Sequence, residues 1–189
     1  PVEDGALAAR MEAAGRAHGG AFGVLLRDKD LPRAERRALG LSLRALTRRA
    51  GARLVVAADL EIAREIGADG VHFGGGGRAQ LAAAARDWPG AWLSIACHSV
   101  DEVAKAAEAG ATIALLSPIF STPGKGEPIG LEALSRARAA IDARGSSIVL
   151  VALGGVTVES ARACLCAGTG AVASIRADLT PVLAEAPTT

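Results

Sequence analysis

Apolar residues in this chain fall into short runs, and nearly every run is preceded by glycine or by Gly-Ala. Gly20-Ala21 precedes Phe22–Leu26, Gly51-Ala52 precedes Leu54–Val56, Gly67-Ala68 precedes Val71–Phe73, and Gly90-Ala91 precedes Trp92–Ile95. The phrase returns as Gly110-Ala111 before Ile113–Leu116, Gly145 before Ile148–Leu153, and Gly168 before Ala171–Ile175. A run that is apolar throughout predicts a strand covered on both faces, as parallel strands are. The stretches between runs are polar and alanine-rich, with helical spacing. Leu81, Ala84, Ala85 and Trp88 fall at i, i+3, i+4 and i+7, and Leu134, Ala137 and Ile141 form a similar stripe. Ser99 followed by Glu102 reads as a capping box, and Gly110 closes the same helix.

Strand and helix therefore alternate, which is the signature of βα units. Seven strands are visible. A closed (β/α)8 barrel needs eight, whereas an open doubly wound sheet can stop at seven. The first helical stretch, about Gly5 to His18, has no strand ahead of it, and the chain starts at Pro1 rather than Met. The reading is an α/β fold, a TIM (β/α)8-type barrel with its first strand missing from this chain. A single barrel domain is expected over 1–184, with a disordered tail over 185–189.

Composition narrows the class further. Half of the 189 residues are hydrophobic and 22% are charged, which excludes a disordered or collagen-like chain. Twenty-one basic residues against twenty acidic ones give a formal net charge of +1. Neither nucleic acid nor an anionic membrane is an expected partner. No apolar run reaches the ~18 residues of a membrane span, and the N-terminus is not a signal peptide. Cys97, Cys164 and Cys166 are too few for a disulfide framework and wrongly spaced for zinc, so reduced thiols in a cytoplasmic protein are expected. With 3% aromatics and no tyrosine, the core is built from Ala, Val, Leu and Ile. A homodimer is compatible with these features on base rate alone.

In βα architectures chemistry sits just past the strands' C-terminal ends. Those positions hold Arg27-Asp28-Lys29-Asp30, Ala57-Ala58-Asp59, His72 with Gly74–Gly77, Cys97-His98-Ser99, Ser117 through Lys125, Leu153-Gly154-Gly155-Val156, and Ser174-Ile175-Arg176. The last two are the most informative. A Gly-Gly pair lets backbone amides approach an anion, and a strand end opening into a short helix adds N–H donors. Phosphate sites in barrels recur after strands seven and eight, which these become if one strand is missing. The alternative is that Gly154-Gly155 is only a tight turn. The chain has eighteen Arg but three Lys, and two of these, Lys29 and Lys125, fall in strand-end loops. A compact ammonium there suits phosphate oxygens. His72 reads either as a satisfied core residue or as a site residue; His98 reads as a helper of the Ser99 turn. Gly74–Gly77 lacks nucleotide-fingerprint spacing and marks a flexible loop.

Taken in order, several of these segments resemble the thiamine phosphate synthase/TenI superfamily. They are Leu26–Asp30, Gly67-Ala68-Asp69-Gly70-Val71-His72, His98-Ser99, Pro118-Ile119-Phe120-Ser121-Thr122-Pro123, Gly130-Leu131-Glu132 and Leu153-Gly154-Gly155-Val156. The resemblance implies a (β/α)8 barrel and a transferase that joins an aminopyrimidine diphosphate to a thiazole phosphate, releasing pyrophosphate. It implies that Thr122, Gly154, Gly155 and the Ser174-Ile175 strand end hold the thiazole phosphate. Arg27, Lys29 and Lys125 match on the diphosphate side and carry the catalytic charge, and His72 lines the site.

The same resemblance exposes departures. A glutamine of the synthases is Leu25 here, their Asn-Asp pair is Ala57-Ala58, and a second magnesium aspartate falls at Gly77. A serine is Ala96 and a threonine is Gly124. With both usual carboxylates replaced, no cofactor is expected, and Mg2+ only if an unusual ligand such as Asp59 stands in. The sister tautomerases use a catalytic histidine where this chain has Pro118. Three readings follow: a family barrel that binds a thiazole phosphate-type heterocycle without Mg2+-dependent chemistry, an active thiamine phosphate synthase, or a non-catalytic interaction module on a degenerate barrel.

Overall fold

The computed structural model describes residues 5–18, 21–175 and 179. The chain divides into two compact units, one ending at His72 and the other spanning 73–182. The first unit runs α1 (Gly5–His18), β1 (Gly23–Leu26), α2 (Arg33–Arg49), β2 (Arg53–Ala57), α3 (Leu60–Glu65) and β3 (Gly70–Phe73). Its strands are parallel and pair in sequence order, with Leu26 opposite Val56 and Val56 opposite Val71. That row is fully buried because α2 lies on β1 and β2, and α3 on β2. Leu43 and Leu46 of α2 and Ile62 and Ala63 of α3 are buried. Full burial of one such leucine or isoleucine contributes roughly 1.5–3 kcal/mol.

One carboxylate ties the start of β2 to its neighbours. Asp69 accepts the Leu54 N–H at 2.8 Å, Arg44 Nη1 at 2.7 Å and Arg53 Nη1 at 3.2 Å. Burial works to raise the Asp69 pKa, but the Leu54 amide and the two guanidinia outweigh it and hold it below its ordinary value. The Asp of the Gly67–Gly70 segment thus has a structural task at the end of the strands opposite the candidate chemistry.

The second unit runs α4 (Arg78–Asp87), β4 (Trp92–Cys97), α5 (Val100–Glu108), β5 (Ile113–Leu116), α6 (Gly130–Asp142), β6 (Val149–Ala152), α7 (Val158–Cys166) and β7 (Ala171–Val172). These strands too are parallel and pair in order. Ile95, Ala114 and Leu150 form one row across the sheet, and Cys97, Leu116 and Ala152 the next. All six are buried on the face that α4, α5 and α6 cover. The predicted stripe of α6 is buried at Leu134, Ala137 and Ile141; on α4 it is buried at Leu81 and Ala84, while Ala85 and Trp88 are half-buried.

Two expectations change in detail. The Ser99 hydroxyl caps α5 by accepting the Glu102 N–H, but the Glu102 carboxylate accepts from the His98 amide rather than from Ser99. A reciprocal capping box forms instead at Thr157 and Ser160 of α7, where a serine replaces the usual acid. β7 is also shorter than the run Ala171–Ile175. Ala173 N still donates to Ala152 O at 2.9 Å, and the chain then leaves the sheet.

Among the described residues, no helix is long and apolar enough to cross a membrane. Cys97, Cys164 and Cys166 are free thiols, the first two buried. Burial, aided by the Glu102 carboxylate, pushes the Cys97 thiol up to about 12, so it is protonated and inert at neutral pH. The expected tail over 185–189 lies outside the described residues.

Candidate functional site

In the first unit the chain leaves β1 into an exposed loop carrying Arg27 and Lys29. His72 sits half-buried on β3. Desolvation, with the charges of Lys29 and Arg27 adding to it, pulls its pKa down to about 4. At pH 7 the imidazole is therefore neutral, in the positive field of the two cations that the family resemblance implies for the diphosphate side. The structure thus relates three of the expected residues electrostatically.

The end of β2 is built differently. Ala58 has φ 56°, the left-handed region that favours Gly, Asn and Asp, and its N–H donates to His72 O at 2.8 Å. Its methyl group offers no ligand. Asp59 next to it is the N-cap of α3, with Oδ1 accepting the Ile62 N–H at 2.8 Å. The Asp59 Oδ2 lies 3.6 Å from Arg36 Nη1 and 3.8 Å from Arg33 Nη1. Glu61 and Glu65 also pair with Arg33, at 3.1 and 2.8 Å, and Glu65 pairs with Arg37 at 3.2 Å. Arg36 is buried and donates from Nη2 to Ala57 O.

The magnesium implied by the family resemblance can be tested against this donor set. Mg2+ takes oxygen ligands in a near-octahedral shell, commonly one or two carboxylates. Here positions 58 and 77 carry none, and the acids around β2 are held by guanidinia or spent on a helix cap. Among the described residues no group of three His, Cys, Asp or Glu side chains could hold a metal ion. The residues do not fit the ion. The Gly74–Gly77 segment is a tight turn, closed by Gly77 N donating to Gly74 O at 2.8 Å, and Gly77 caps α4.

In the second unit the candidate anion seat lies where β6 gives way to Gly154-Gly155. Both glycines have positive φ, 90° and 65°. A Cβ on Gly154 would lie 2.7 Å from Pro118 Cα, and one on Gly155 would lie 2.8 Å from both Phe120 Cβ and Ser121 O. Only glycine satisfies both the backbone conformation and this approach. Ile119 N donates to Leu153 O at 3.0 Å and Phe120 N to Gly154 O at 2.9 Å, which clamps the β5–α6 loop to the end of β6. No backbone carbonyl among the described residues accepts the N–H of Gly154 or Gly155. Two adjacent amides are therefore available to an anion.

The clamped loop also carries Thr122, whose hydroxyl donates to Phe120 O at 2.9 Å, and the exposed Lys125, whose N–H donates to Thr122 O at 3.1 Å. Ser174 and Ile175 follow β7, and Ile175 is 71% exposed. The short helix expected beyond them lies outside the described residues. Pro118, where the resemblance implies a histidine in the tautomerases, packs against Gly154 and has no proton to exchange.

Two residues gain a role that sequence reading did not give them. His98 Nδ1 lies 2.8 Å from Ser117 O, so a neutral ring must carry its proton on Nδ1 and present Nε2 outward. The pairing of His98-Ser99 with a strand-end serine nineteen positions on was the available signal, and it is weak. Arg36 gave no signal at all, because one arginine among several on a helix reads as solvated.

Residues 3–177 match the family described as thiamine monophosphate synthase. The thiamine-phosphate synthase of Moorella thermoacetica is 36% identical over 162 residues, covering 84% of this chain and 75% of that protein. The one from Methanoculleus marisnigri is 37% identical over 164 residues, covering 85% and 75%. Among solved structures, thiamine phosphate pyrophosphorylase from Pyrococcus furiosus superposes with a TM-score of 0.73 at 24% identity, over 94% of this chain and 86% of that one. The fold class read from the βα repeat is borne out: it is α/β of the TIM type, with seven strands among the described residues. By family match and by identity to its relatives, the chain belongs to the thiamine monophosphate synthase/TenI family.

Proposed function

We propose that this chain is a thiamine-biosynthesis barrel that binds a thiazole phosphate-type monophosphate at the end of β6 and does not run Mg2+-assisted synthase chemistry. One observation carries the reading: Gly154 and Gly155 present adjacent N–H groups with no backbone acceptor among the described residues, held in place by the Ile119 and Phe120 bonds. Each amide donates to a phosphate oxygen. The ammonium of Lys125, on the same clamped loop, supplies the counter-charge, and the Thr122 hydroxyl, its proton given to Phe120 O, braces that loop beside it.

In the relatives named as synthases, the reaction transfers a pyrimidine from diphosphate to the thiazole. Ionisation of a diphosphate needs its developing charge absorbed as the bond breaks. Here that charge would fall on Arg27 and Lys29, since positions 58 and 77 lack the acids to place a metal. Neutral His72 adds no charge to theirs.

A second reading, an active synthase, is favoured by one set of observations: Arg27, Lys29 and Lys125 are all retained, in a chain over one-third identical to proteins named as synthases. The two readings separate in one experiment. With EDTA present, thiazole phosphate should raise the melting temperature, and the pyrimidine diphosphate should shift it little. Turnover of the two substrates together should be negligible with or without Mg2+. Equal shifts for both compounds, or turnover that appears on adding Mg2+, would give the second reading the place of the first.

A further inference from the structure

We infer that at the end of β2 this chain has exchanged a divalent-metal position for a guanidinium: Arg36 is anchored there on Ala57 and Asp59, and it excludes a divalent cation. The inference goes beyond the monophosphate reading and rests on a different part of the molecule.

Arg36 reaches from α2 to the last carbonyl of β2, and its side chain is 8% exposed. An arginine does not lose its proton in a protein, so this is a permanent charge in a poorly solvated place. Its Nη2 is bound to Ala57 O, its Nη1 faces Asp59 Oδ2 at 3.6 Å, and its buried Nε has no hydrogen-bond partner among the described residues. The unsatisfied Nε is a cost the fold accepts to keep the planar fork on the two residues that flank Ala58. Asp59, the acid next to Ala58, is committed three times, to the α3 cap, to this arginine and to Arg33. A dication beside Ala58 would meet a like charge that cannot titrate away. It would also have to strip Asp59 from Arg36 and from Arg33.

Gly77, in the other unit, is by its own surroundings a poor place for a carboxylate. A Cβ on Gly77 would stand 3.0 Å from Phe73 Cβ and 3.1 Å from Gly74 O. The Gly74–Gly77 turn has closed around the absence of a side chain, so restoring an acid there requires the turn to shift.

Mn2+ serves as the probe, read by the loss of its free-ion electron paramagnetic resonance signal on the full chain. Wild type should bind no Mn2+. Ala58→Asp should fold normally, because Asp tolerates the left-handed region, and should still bind none, because Arg36 remains. Ala58→Asp combined with Arg36→Met should gain a single Mn2+ site, at least about tenfold tighter than any binding by Ala58→Asp alone, as removal of one nearby positive charge requires. Stoichiometric binding by wild type overturns the inference, and so does equal binding by the single and double variants. A double variant that folds and binds nothing removes Arg36 from its assigned role. If the double variant does not fold, Ala58→Asp decides alone: tight Mn2+ binding by it contradicts the inference and absence of binding upholds it. Phosphate binding at the end of β6 plays no part in this readout, so the two readings fail separately.

Discussion

The ends of β2 and β6 use the same backbone device to opposite purposes. At β6 the left-handed positions are glycines, packed at van der Waals limits against Pro118 and Phe120, and their amides are left without backbone acceptors among the described residues. At β2 the left-handed position is Ala58, its amide is spent on His72 O, and a guanidinium and a capped carboxylate close the turn on either side. One end is held open by its neighbours and the other is sealed by them. The contrast teaches that a strand end becomes a ligand seat when its polar backbone groups are denied internal partners. A change in backbone conformation alone does not achieve this.

The largest effect should come from Gly154→Ala. The left-handed conformation costs ~1–2 kcal/mol for an L residue and the clash with Pro118 adds ~1–3 kcal/mol. Urea unfolding should show a loss of about 2–5 kcal/mol. A loss under about 1 kcal/mol would mean that the Pro118 contact is slack.

At the sealed end, Arg36→Met removes the bond to Ala57 O and leaves Asp59 with one fewer cation, while the methionine fills the same volume. A loss of about 3 kcal/mol is expected for breaking a buried pair. No loss would show that Arg36 contributes nothing to the seal.

His72 gives a pH test of its surroundings. Its native pKa of about 4 lies below the ordinary 6.5. Between those values the unfolded chain binds the proton and the native chain does not. Stability is therefore fully present above pH 6.5, falls as pH drops toward 4, and levels off below. The loss should be on the order of 3 kcal/mol, and His72→Phe should flatten that part of the profile. An unchanged slope in the variant would place the titration elsewhere.

The smallest effect is a gain. Ala58→Gly relieves the left-handed alanine but frees the unfolded chain, so a net stabilisation of a few tenths to about 1 kcal/mol is expected from the melting curve. Destabilisation would mean that Ala58 is not strained.

Much of the architecture was legible because it rests on local pattern. Runs such as Leu54–Val56 are apolar throughout because side chains on both faces of the strand are buried, and glycines such as Gly110 mark the helix ends that precede such runs. Gly154-Gly155 could be read as a close approach, since no other residue pair serves that purpose. What could not be read was partnership across distance. Arg36 bonds to Ala57, twenty-one positions away, and nothing in the helix 33–49 distinguishes it from the exposed arginines around it. The same holds for His98 and Ser117, and for Glu102, which passes over the Ser99 amide to reach His98. Asp69 was visible only as part of a motif; its task of holding Arg44, Arg53 and the Leu54 amide depends on strand register, which the sequence does not spell out.

The two strand ends can be compared in one spectrum. In a 15N–1H correlation experiment with EDTA present, adding thiazole phosphate should move the Gly154 and Gly155 amide resonances and leave those of Ala58 and Asp59 in place. Static glycine resonances, or movement at Ala58 and Asp59 that appears only when Mg2+ replaces EDTA, would contradict the account.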